Sequence, residues 1–116
     1  MHEMGLIDAV VRTVDRIVKE DPEIEGVNKI VLEVGVLSGV MPDFLRECFE
    51  AVVWDTPYEH TELEIEMLPG TLHCNDCNID FRADPEDLTC PECLGKNLTP
   101  MTGLDMTIKE IEVYPE

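Results

Sequence analysis

The sequence predicts an α+β fold: a small three-stranded sheet with two helices on one face, interrupted by an inserted knuckle of different composition. Three observations carry this. Two stretches place apolar residues at three-and-four spacing, and three stretches alternate apolar with polar residues. Between the second and third alternating stretches lies a block with four paired cysteines, three prolines and few large apolar side chains.

The first helix is read over Glu3 to Glu20, where Ile7, Val10, Val11, Val14, Ile17 and Val18 form one stripe. DPEIEG breaks it. VNKIVLEVG then alternates Ile30, Leu32 and Val34, the pattern of a strand with one face on a core. In LSGVMPDFLRECFEAVVWD, Pro42 suits a first helical turn, and Met41, Phe44, Leu45, Cys48, Phe49 and Val52 repeat with helical period to about Trp54. HTELEIEML sets Leu63, Ile65 and Met67 against Glu62, Glu64 and Glu66, a strand with one wet acidic face. The last strand, in LDMTIKEIEVYPE, alternates Leu104, Met106 and Ile108, then slips phase to Ile111 and Val113, as a bulge near Lys109 would cause. The domain reading is therefore residues 1–70 with 102–116 as one α/β domain, and residues 71–101 as an inserted domain.

With 116 residues, 44% of them hydrophobic, the chain affords one modest core. Its formal charge of -18, from 26 acidic and 8 basic residues, argues against nucleic acid and against anionic membrane surfaces, both of which reward basic patches. No signal peptide or membrane-length apolar run is visible, so a cytoplasmic location is expected. In that compartment paired cysteines are more often metal ligands than disulfides.

The insert CNDCNIDFRADPEDLTCPEC holds Cys74/Cys77 and Cys90/Cys93, two Cys-x-x-Cys turns of the spacing that completes a tetrahedral metal site. A segment this short lies below the roughly 40 residues at which a core suffices alone, so the metal serves as its core. Four thiolates leave no open position, which makes the site structural, a zinc-ribbon-like knuckle. Zinc is expected over iron, although CPECLG is similar to the knuckle of rubredoxin-type iron proteins, which keeps an electron carrier as an alternative. Cys48, on the apolar stripe of the second helix, is read as a buried inert thiol. His73 beside Cys74 is either an exposed residue leading into a turn or a group near the metal. For His60 no partner can be named.

The opening MHEMG places an imidazole and a carboxylate where chains normally fray. Removal of an initiator Met requires a small second residue, so the expected start is Met1-His2-Glu3. The α-amine, the deprotonated His2 amide and the imidazole Nδ1 are joined by short covalent paths and can share one plane around a metal. Planar nitrogen-rich sets suit Ni(II) and Cu(II). Against this stands the plainer reading of His2 as a frayed terminal residue.

MHEM, LEVGVLSGVMPDFLRECFE, ELEIE, the paired cysteines and IKEIEV together resemble the HypA/HybF family of hydrogenase maturation proteins, over nearly the whole chain. The resemblance implies a nickel metallochaperone with two parts. Its α/β domain would take Ni(II) as cargo at His2 and the adjacent backbone of Glu3, and Cys74, Cys77, Cys90 and Cys93 would hold structural Zn(II). It implies as partners a HypB-type nickel GTPase, the hydrogenase large subunit and, in some members, urease maturation proteins. Some members carry a histidine just after a cysteine pair. Asn78 and Leu94 stand there in this chain. No catalytic set is present: there is no Gly-rich phosphate loop, and no nucleophile has a base at motif spacing. The competing readings are a rubredoxin-like electron carrier and a zinc-knuckle adaptor that docks a protein.

Overall fold

Helix α1 spans Glu3–Glu20 and helix α2 spans Pro42–Val53, with Pro42 in the first turn as its fixed φ favours. The computed structural model describes residues 2–115. One sheet contains β1 (Gly26–Gly35), β2 (Glu62–Leu68) and β6 (Met106–Tyr114) in the order β2-β1-β6. Its strand directions follow from the bonds that flank it. Glu25 N–H donates to Tyr114 O at one end of β1 and Gly35 N–H to Asp105 O at the other, so β6 runs antiparallel to it. Thr61 Oγ1 donates to Val27 O, and Val36 N–H to Leu68 O, so β2 runs parallel to β1. A parallel neighbour needs a crossover, and α2 supplies it.

The second sheet contains β3 (Thr71–Cys74), β4 (Ile79–Arg82) and β5 (Leu98–Thr102) in the order β4-β3-β5, with both pairings antiparallel. The chain divides into two compact units. One comprises residues 1–32, 41–66 and 108–116; the other comprises 33–40 and 67–107. The second unit thus contains the whole of the predicted insert and extends a few residues past each end of it.

In the first unit α1 packs on α2. Ile7, Val10 and Val14 are buried on α1, and Leu45, Cys48, Phe49 and Val53 on α2. On the central strand Ile30, Val31 and Leu32 are buried consecutively, where alternation predicts only Ile30 and Leu32, because a central strand is also shielded by its two neighbours. Several expected core residues are exposed: Ile17, Met41, Phe44, Met67 and Leu104. Met41 has extended backbone as the N-cap and so is not on the helical stripe, and Phe44 falls at the flank of that stripe. Leu104 precedes the strand, which begins at Met106. In β6, Lys109 and Glu110 are both exposed, so burial shifts phase where the sequence slips. On the wet face, Lys29 of β1 lies 3.6 Å from Glu64 of β2 and 3.7 Å from Glu112 of β6. Glu64 first, then Glu112, raise the Lys29 pKa above its ordinary value.

In the second unit the LSG stretch forms a tight turn. Ser38 Oγ donates to Gly35 O at 2.7 Å and accepts Val40 N–H at 3.2 Å, while Gly39 takes φ +79°, open to glycine at little cost. Close by, three glycines let backbones touch. A Cβ on Gly35 would collide with the Gly103 carbonyl, and one on Gly103 would lie 2.6 Å from Gly70 Cα. Among the described residues, no helix is long and apolar enough to cross a membrane.

Candidate metal centres

The four paired cysteines converge. Cys74 ends β3, Cys77 lies in the turn to β4, and Cys90 and Cys93 lie in the loop before β5. Their Sγ atoms all lie within 4.8 Å of one another, with Cys74 to Cys93 at 3.8 Å and Cys90 to Cys77 at 3.9 Å. A tetrahedron with Zn–S bonds near 2.3 Å has S···S edges of about 3.8 Å, so the thiol set fits a closed four-sulfur zinc site.

The two pairs are held by the same local device. Asn78 N–H donates to Cys74 O and Leu94 N–H to Cys90 O, each at 2.8 Å. The residue after each pair turns left-handed, Asn78 at φ 57° and Leu94 at φ 62°. Asn tolerates that region; Leu does so at a cost of about 1–2 kcal/mol. Amide groups then point at sulfur: Cys77 N–H at Cys74, Glu92 N–H at Cys90, and Gly95 N–H at Cys93, each at 3.4 Å. The amides of Cys93 and Glu92 lower the Cys90 pKa to about 7, against burial. Cys77 is pushed up to about 12, first by its contact with Cys93 and then by burial. Four clustered thiols cannot all ionise without a cation between them, and this is the charge a divalent metal supplies.

His73 is not part of this cluster. It sits opposite Asp80 in the β3/β4 register, with Nδ1 2.6 Å from Oδ1. Cys48 is 2% exposed on α2, as a packing residue should be.

At the other candidate site, His2 is exposed at the start of α1 and its side chain makes no capping bond. Glu3 differs sharply: it is only 4% exposed, and its Oε2 accepts Met41 N–H at 3.1 Å. That amide first, and the Glu3 amide second, hold its carboxyl below its ordinary pKa. The Glu3 side chain therefore ties the start of α1 to the start of α2. Sequence reading missed this clamp, because a backbone donor far along the chain leaves no residue pattern. Met1, whose amine completes the expected set, lies outside the described residues.

Fold and thiol cluster define a small metal-handling protein, an α/β unit carrying a four-sulfur ribbon. The model of the family described as hydrogenase/urease nickel incorporation, metallochaperone, HypA matches residues 1–113. The chain belongs to this family. It is 34% identical over 113 residues to hydrogenase maturation factor HypA of Desulfatibacillum aliphaticivorans, covering 97% of this chain and 87% of that one. With the factor of the same name from Albidiferax ferrireducens it is 36% identical over 113 residues, 97% of this chain and 99% of that one. The solution structure of the Ni metallochaperone HypA from Helicobacter pylori shares the fold, with a TM-score of 0.66 at 21% identity over all of both chains. A metallochaperone is a maturation factor and not an enzyme, and the electron-carrier and adaptor readings are not favoured.

Proposed function

We propose that this chain carries Ni(II) at its N-terminus through the α-amine, the amide and imidazole of His2 and the adjacent backbone of Glu3. It delivers the metal in the cytoplasm, with a HypB-type GTPase, to the hydrogenase large subunit. Residues 1–70 with 102–116 form the nickel-binding domain. Residues 71–101 form the zinc domain, in which Cys74, Cys77, Cys90 and Cys93 hold Zn(II) and the metal cross-links the two cysteine turns.

The observation that supports this reading best is the division of labour between the second and third residues. Glu3 is buried and committed to Met41, so the helix start is fixed, while the His2 imidazole stays exposed and free of capping. An exposed, chain-terminal ligand set lets a recipient replace ligands one at a time, which a buried cage would prevent.

Calorimetric titration of untagged protein tests it. His2→Ala removes the imidazole, and a single residue added before Met1 converts the amine to an amide. Both weaken nickel binding and leave zinc content and fold unchanged. If only His2→Ala is severe, the Glu3 amide stands in for the amine. Wild-type nickel affinity in His2→Ala overturns the terminal site.

A further inference from the structure

The chain's only tryptophan is 71% exposed, and it does not stand alone. Trp54 lies just past the end of α2, on the wall of a groove of about 480 Å³ in the first unit. This volume falls within the range of ligand clefts. The floor is apolar and buried, formed by Phe49, Val53 and Leu63. The turn beyond Trp54 is built rather than loose: Asp55 takes φ 58°, and its N–H donates to Glu59 Oε2 at 3.1 Å. Below it, Tyr58 is buried with its hydroxyl on Asp15 at 2.6 Å. An exposed indole is thus held by anchored backbone over an apolar floor.

The charge of the rim selects the occupant. Glu50, Glu59 and Glu62 line the groove, and among the described residues Arg46 is its only permanent cation, bonded to the Leu63 carbonyl at 2.6 Å. An anionic ligand meets net repulsion there. A second copy of the chain, with 26 acidic residues against 8 basic, is opposed by its net charge. A guanidinium or ammonium gains both from the carboxylates and from the face of an exposed indole. Trp and Arg are also the residues that most often carry interface energy.

We propose that this groove docks a basic segment of a partner protein, one that seats an apolar side chain on Phe49, Val53 and Leu63 and sets a neighbouring Arg or Lys against Trp54 and the glutamate rim. This goes beyond the nickel reading and needs no metal. It gives the metal carrier a second surface, by which a partner can be held while ligands exchange at the N-terminus.

The probe is the acetylated, amidated peptide Leu-Arg-Leu-Arg-Leu, titrated into metal-free-buffer solutions of the whole zinc-loaded protein at 150 mM salt. Trp54 emission reports on the groove directly, since no other indole contributes. Saturable change in that emission is expected, with amide NMR shifts centred on Phe49, Val53 and Leu63. Peptides with Glu for Arg, or Gly for Leu, bind at least about tenfold more weakly. Trp54→Ala, whose side chain is exposed and whose fold is therefore retained, lowers affinity about tenfold by NMR. Glu50→Gln with Glu62→Gln lowers it several-fold. The proposal is overturned by equal binding of the Gly-for-Leu peptide, by shifts spread over the acidic surface, or by unchanged affinity in Trp54→Ala. A concentration-dependent dimer lost in Trp54→Ala would assign the groove to a second copy, and would also overturn it.

Discussion

Replacing Cys74 by serine removes one of the four sulfurs around which the ribbon is organised. Between residues 71 and 101 the buried positions other than cysteine are Leu72 and Ala83. Full burial of a leucine side chain is worth at most about 3 kcal/mol, and alanine adds less. Structural zinc in finger peptides contributes on the order of 10 kcal/mol, comparable with the entire 5–15 kcal/mol stability of an ordinary domain. With zinc in the four-sulfur site, as proposed above, the metal would be the largest single term holding β3, β4 and β5 together. In Cys74→Ser, zinc measured by mass spectrometry under native conditions should fall well below one per chain. In amide NMR spectra, the signals of residues 71–102 should collapse towards random-coil positions, while those of α1 and of Gly26 to Leu32 in β1 stay dispersed. The same loss should follow removal of zinc from wild type by a chelator. Native dispersion of the Leu72, Phe81 and Leu98 amides in zinc-free protein would refute the reasoning.

Three further outcomes follow from particular side chains. Leu94→Gly relieves a left-handed leucine; against about 1–2 kcal/mol of strain stands about 0.5–1 kcal/mol of added backbone entropy, so the ribbon should gain about 0.5–1 kcal/mol against chelator-driven unfolding. Cys48→Ala should cost about 1 kcal/mol in urea unfolding and leave both metal counts unchanged, whereas loss of either metal would show that the thiol is not simply packing. Tyr58→Phe removes the bond to Asp15 and should cost about 1 kcal/mol by the same assay. Burial first, and Asp15 second, raise the Tyr58 pKa from 10.0 to about 12, so its contribution is complete below 10 and is lost as pH rises through about 12. Asp15 is lowered from 3.8, by Lys19 first and Tyr58 second, so its share is present above 3.8 and lost on further acidification. The difference between variant and wild type should therefore be flat from about pH 5 to 9.

Both helices and the three strands of the first sheet were legible because each sets its apolar residues towards one side at a regular period, even where, as in β6, they are only half buried. The thiol cluster was legible because metal geometry imposes a spacing. What escaped is informative in the same terms. The strands β3, β4 and β5 are only four, four and five residues long, so the alternation that buries Leu72 and Cys74 in β3 is too brief to stand out in the sequence. Met41 and Phe44 are apolar yet exposed, because capping takes one off the helical stripe and the other lies at its edge. Glu3 is charged yet buried, because its partner is the backbone amide of Met41 and backbone donors carry no letter. Trp54 is apolar yet exposed because it lies just past the helix end, nearly opposite the Leu45, Cys48 and Phe49 stripe. The cue in the sequence was the WDTP break that ends the helix beneath it.

The contact between Gly70 and Gly103 means that the ribbon leaves and returns through neighbouring points. A loop whose ends already meet can change length and content at little entropic cost, since the closure term grows only with the logarithm of loop size. Changes of length in the loops between those glycines should therefore be absorbed cheaply, so long as the four thiols and the two small residues at the close approach are kept.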